Sequence, residues 1–137
     1  MANQFQKAIL EEGPRNAIVR LTALLDTSDL SWVSAVQLSD FTNNEPQQRL
    51  VGLRLNEVEF SVSEPTVAVL AWNAASPQLA VTMAQSGELN FCRRGGLLPD
   101  QTRSGYDGSL NLTTTGFFPG TPSGITVLLM LVKLYKF

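Results

Sequence analysis

The side chains that could do chemistry in this chain are few, and their spacing limits what they can do. Glu57 and Glu59 stand two apart in a strand-like run and so share one face, the geometry of a carboxylate pair. A glycosidase would need a larger scaffold around such a pair, and a solvated strand face accounts for it as well. Asp26 and Asp29 in the run LDTSDL (Leu25–Leu30) could offer oxygen ligands, but the spacing fails the calcium-loop pattern; turn capping is the favoured reading. The single cysteine, Cys92, lies in the run LNFCR and reads as a small buried hydrophobe rather than a reactive thiol. There is no histidine, which removes the usual general base near neutral pH and the commonest metal ligand. No phosphate-binding loop of the Gly-rich Lys-Ser/Thr kind and no dinucleotide fingerprint is present. The expectation is a non-enzymatic protein with no cofactor and no metal.

What remains is suited to contact with another protein. Arg93, Arg94, Arg103 and Tyr106 fall in one glycine-rich loop, 94–108 with its leading arginine, and Arg and Tyr are enriched at interface hot spots. A merely solvated loop is the alternative. Phe117 and Phe118 sit at a Pro-Gly turn, where at least one should be exposed. Phe5 lies in an N-terminal segment that reads as a short helix or arm, ended by Gly13-Pro14. The formal charge of −2 supplies no field for nucleic acid.

These residues must be held by short strands. Runs with period-two alternation or continuous apolar character cover 15–24, 32–38, 51–62, 66–72, 79–83, 89–93, 110–115 and 125–137, separated by turn signals. The run at 51–62 changes phase, with Val51, Leu53 and Leu55 on one face and Val58, Phe60 and Val62 shifted by one. That predicts a bulge at Asn56-Glu57. About eight such strands with almost no 3.6-residue periodicity predict an all-β fold: an antiparallel β-sandwich, jelly-roll-like, with residues 1–14 as an arm and 15–137 as one domain.

The terminal run ITVLLMLVKLYKF (Ile125–Phe137) is too short to cross a bilayer as a helix and carries Lys133 and Lys136, so no membrane role follows. It reads as a strand covered on both faces. Val127, Leu129 and Leu131 are expected in the core, and Leu128, Met130 and Val132 on a second face that a neighbouring subunit covers. The N-terminus has no long apolar stretch and carries Glu11 and Glu12, unlike a secretion signal, so assembly in a cytoplasm is expected.

Several motifs carry a resemblance. They are EEGPRNAIVRLTALLDTSDL (Glu11–Leu30), the element Leu70-Ala71-Trp72-Asn73-Ala74, the run Phe91–Leu97 (FCRRGGL) and the turn Thr114-Thr115-Gly116 before a terminal apolar strand. Together they resemble a family of small virion structural proteins of tailed bacteriophages. In that family a Gly-Pro-Arg-Asn segment precedes the first strand and an LDTSD turn follows it. The resemblance implies a capsid decoration or cement protein that sits on the capsid surface, assembled in the host bacterial cytoplasm. Its partner would be the major capsid protein, and its state a trimer or dimer. A tail or neck adaptor of the virion is the first alternative. A carbohydrate-binding β-sandwich is the second, with Trp32 as the stacking platform because Trp72 falls in a strand that looks buried.

Overall fold

In a computed structural model the chain is described at residues 3–13, 15–41, 49–92, 95–98, 102, 104–118, 120 and 122–136, with 49, 135 and 136 described by backbone alone. The described residues form seven strands: β1 (Gln4–Glu12), β2 (Asn16–Leu25), β3 (Val33–Val36), β4 (Arg49–Trp72), β5 (Gln78–Asn90), β6 (Leu110–Thr115) and β7 (Ser123–Lys136). All pairings are antiparallel. The strand order is β1-β2-β7-β4-β6-β3, with β5 against β4, and the sheet is nearly closed into a barrel.

The central feature is one long hairpin of β4 and β5. The first half of β4 pairs with β7, which carries β2 and β1 beyond it. The second half pairs with β6, which carries β3. Between Val62 and Val67 the β4–β5 ladder is interrupted, at Ser63-Glu64-Pro65. Proline cannot donate to a ladder, and the three residues are exposed, so the strand changes direction there without ending. Two hydroxyl contacts hold the bend to the start of β7: Thr66 Oγ1 donates to Ser123 Oγ at 2.9 Å, and Gly124 N–H donates to Ser63 Oγ at 3.2 Å. The runs at 51–62 and 66–72 are therefore one strand, and those at 79–83 and 89–93 are mostly one strand as well. The eight strands expected from the sequence become seven once the N-terminal segment is added.

That segment is a correction. Residues Gln4–Glu12, read as an arm or short helix, form edge strand β1 in register with β2. The alternation there is weak because most of β1 is exposed on both faces, so its sequence carries little of the period-two signal. The phase change at Asn56 is confirmed: the β4–β7 register slips between Leu55 and Glu57.

The core is a single cluster drawn from both halves of the sheet. Alternate residues of β2 (Ala17, Val19, Leu21, Ala23, Leu25) face alternate residues of β7 (Ile125, Val127, Leu129, Leu131) in this interior, with Leu70, Trp72, Met83, Leu110 and Leu112 opposite. At one end the interior row continues to Lys133, whose side chain is fully buried; its Nζ donates to Glu12 Oε2 at 2.7 Å and stands 5.7 Å from the centre of the Phe41 ring. A second ion pair, Lys7 Nζ to Asp40 Oδ2 at 2.8 Å, ties β1 to the turn after β3. Truncating Leu129, which is fully buried in the middle of this interior row, to alanine should lower the unfolding free energy by about 2–5 kcal/mol in urea titration.

Candidate functional site

The loop that leads into β6 is organised by one carboxylate. Asp107 Oδ2 accepts from Asn73 Nδ2 at 2.9 Å, and Asp107 Oδ1 accepts from the Ser109 N–H at 3.0 Å and from the Ser109 hydroxyl. Asn111 Nδ2 in turn donates to Asn73 Oδ1 at 3.2 Å. Partial burial works to raise the Asp107 pKa and is the largest single influence, but the donors from Ser109 and Asn73 together outweigh it, so the carboxyl is held below its ordinary range. Tyr106, half-buried beside it, has its pKa raised, first by burial and then by the Asp107 charge. Its hydroxyl is buried and has no hydrogen-bond partner among the described residues. Arg93, Arg94 and Arg103, expected to join Tyr106, lie outside the described residues.

At another point the β2–β3 connection is bound to β6 and the turn after it. Asp29 Oδ1 accepts from Thr114 Oγ1 at 3.0 Å and from the Phe117 N–H at 3.1 Å, while Thr114 Oγ1 accepts from the Leu30 N–H at 2.8 Å. Asp29 thus stabilises a turn as expected, but through partners some 85 residues away in sequence. Gly116 follows with φ +83, and a Cβ there would stand 2.7 Å from the Pro65 carbonyl oxygen, so no other residue fits without strain. Phe117 packs against the core, whereas Phe118 is 64 % exposed. Trp32 is also exposed, at a positive φ of 45, whereas Trp72 is buried.

The remaining expected residues distribute over the sheet. Phe5 is half-buried and packs on the core from β1, opposite Ala23, so it is a sheet residue and not the tip of a free arm. Leu128 and Met130 lie on the outer face of β7, half-buried, while Val132 on the same face is buried. Met130, Ile18, Asn56, Glu57 and Cys92 border a cleft of about 300 Å³ on that face. Cys92 is exposed, which corrects the buried reading: Val81, Met83 and Leu89, the last opposite buried Val58, put the odd positions of β5 on the inner side, so Phe91 packs on the core and Cys92 turns outward. Glu57 and Glu59 do share the outer face of β4; Glu57 accepts from Asn90 Nδ2 at 2.7 Å, and Glu59 stands directly opposite Glu88. Glu88, and Arg20 on the same face of β2, were not singled out from the sequence, because their neighbours depend on strand pairing.

Among the described residues no three Cys, Asp or Glu side chains come together as a metal site. Compared with protein-family models, curated proteins and solved structures, the chain has no match.

Two measurements check these assignments. A carboxyl whose folded pKa is lowered contributes stability that is fully present above the unfolded value and is lost as pH falls through the folded one. Asp107→Asn should therefore flatten the loss of stability below about pH 4, seen in urea midpoints collected across the acid range. Cys92 should react with one equivalent of a thiol-specific aromatic disulfide in the native protein at a rate close to that of the unfolded chain. Protection until unfolding would mean that the thiol is buried.

Proposed function

We propose that this chain is a non-enzymatic virion structural protein of a tailed bacteriophage, most specifically a capsid decoration or cement protein that binds the major capsid shell and self-associates. The virion assignment comes from the resemblance of Glu11–Leu30 and the later motifs to that family, and the jelly-roll-like sandwich belongs to the same reading. What supports a binding role is where the apolar groups stand. The interior is filled with aliphatic side chains, and half of the large exposed hydrophobics among the described residues stand on edge strands: Ile9 and Leu10 on β1, Leu79 and Leu89 on β5. Edge strands that carry apolar side chains are suited to pairing with another chain. The lack of histidine agrees with a role that needs no general base near neutral pH.

Quantitative mass spectrometry of purified phage particles tests the reading. A decoration protein should be found at hundreds of copies per particle; a dozen or fewer would move the protein to the tail or neck, and absence from the particle would end the proposal.

A further inference from the structure

Strand pairing lays out an uneven row of charge on the outer face of the sheet. Ala8, Arg20, Leu128, Glu59 and Glu88 stand side by side on β1, β2, β7, β4 and β5. The basic group is one strand in from the β1 edge, and the two acidic groups stand at the β5 edge. Glu59 and Glu88 are direct cross-strand neighbours, an arrangement of like charges that destabilises a sheet. Neither they nor Arg20 forms an ion pair among the described residues. Among the described residues no further strand pairs with β1 beyond β2 or with β5 beyond β4; the tie from β1 to the turn after β3, Lys7 to Asp40, runs through a side chain and leaves the β1 backbone edge unpaired.

Charge decides how a second copy would sit on these edges. Two-fold pairing of β5 with itself would gather the Glu59 and Glu88 carboxylates of both copies, and pairing of β1 with itself would bring two Arg20 side chains towards one another. Head-to-tail contact joins the acidic end of one row to the basic end of the next. Four antiparallel pairings separate β1 from β5, so the two strands run in the same direction. A rotation about an axis along the strands therefore sets β5 of one copy beside β1 of the next as parallel neighbours. Without slip along the strands, Glu88 meets Ala8 of the next copy. That small side chain leaves Arg20 behind it, about 10 Å away at two strand spacings and within the combined reach of Arg and Glu.

We propose that copies of this chain associate head to tail, the β5 edge of one against the β1 edge of the next, with Glu59 and Glu88 facing Arg20 across the contact. An arrangement of this kind closes into a ring when the rotation is a simple fraction of a turn. The inference rests on the self-association in the reading above but not on its virion assignment.

The full-length protein, followed by sedimentation velocity at low and high NaCl, tests it. The wild type should form an oligomer that loosens with salt. Glu88→Arg and Arg20→Glu should each weaken association roughly tenfold, and the double reversal should restore it. Both positions are exposed, so neither reversal should lower the thermal melt, and Glu88→Arg should raise it slightly by relieving the Glu59–Glu88 repulsion. A monomer at all concentrations overturns the proposal. So does an oligomer indifferent to the single reversals, or a double variant no stronger than the singles. A monomer that is nonetheless abundant in particles would remove this contact and leave the virion reading standing.

Discussion

Strand β7 is held on both sides, by β2 over ten residue pairs and by the first half of β4, and the rest of the sheet is built around that double pairing. A strand in this position has all its backbone groups committed to ladders, and one of its faces must lie against the interior. Ile125, Val127, Leu129 and Leu131 meet that requirement, and their burial sets the register of both neighbours, because a slip by one residue would turn the whole apolar row outward. Lys133 is the cost of continuing the row one residue pair too far. It is accommodated by Glu12 from β1, so the last strand and the first are joined by a buried ion pair as well as through β2.

The β4–β5 hairpin converts that local order into a nearly closed sheet. Because β4 serves β7 in its first half and β6 in its second, one strand supplies walls on both sides of the core. The bend between Val62 and Val67 makes this possible without a chain break, and the small hydroxyl side chains of Ser63, Thr66 and Ser123 fill the corner with satisfied hydrogen bonds. The opposite side of the barrel is joined by contacts of another kind: the Lys7–Asp40 pair and the Asp29–Thr114–Leu30 hydrogen bonds. These polar ties stand where backbone pairing stops.

For the proposed binding role, the surfaces that remain are edges and outer faces. Among the described residues the interior is filled with aliphatic side chains, while β1 and β5 each end the sheet with exposed apolar groups. The outer row from Arg20 to Glu88 gives those two edges opposite character. An edge strand is a hazard for a soluble protein unless it is covered or blunted; Lys7 and the register shift near Leu10 blunt β1, and Glu88 and the two irregularities of the β4–β5 ladder blunt β5.

Much of this was legible in the amino-acid order. Period-two alternation located β2, the bulge at Asn56-Glu57 and the core row of β7, because side chains of a half-buried strand must alternate whatever the partner is. The burial of Trp72 and the exposure of one of Phe117 and Phe118 were also expected, whereas alternation grouped Trp32 with Val36, which is buried while Trp32 is exposed. Local order could not say that 51–62 and 66–72 are one strand, since Ser-Glu-Pro reads as a turn whether a chain reverses there or merely bends. Nor could it make Gln4–Glu12 a strand, because an edge strand gains its structure from its neighbour's free ladder and not from its own pattern. The side to which Cys92 turns and the meeting of Glu59 with Glu88 both depended on the β4–β5 register. Sequence alone determined which residues alternate and which face of a strand must be buried, for burial is a property each residue carries. Which strands lie side by side, and therefore which charges meet, was decided only by tertiary structure, because backbone hydrogen bonds are the same for every residue and select a partner only through the packing of the whole sheet.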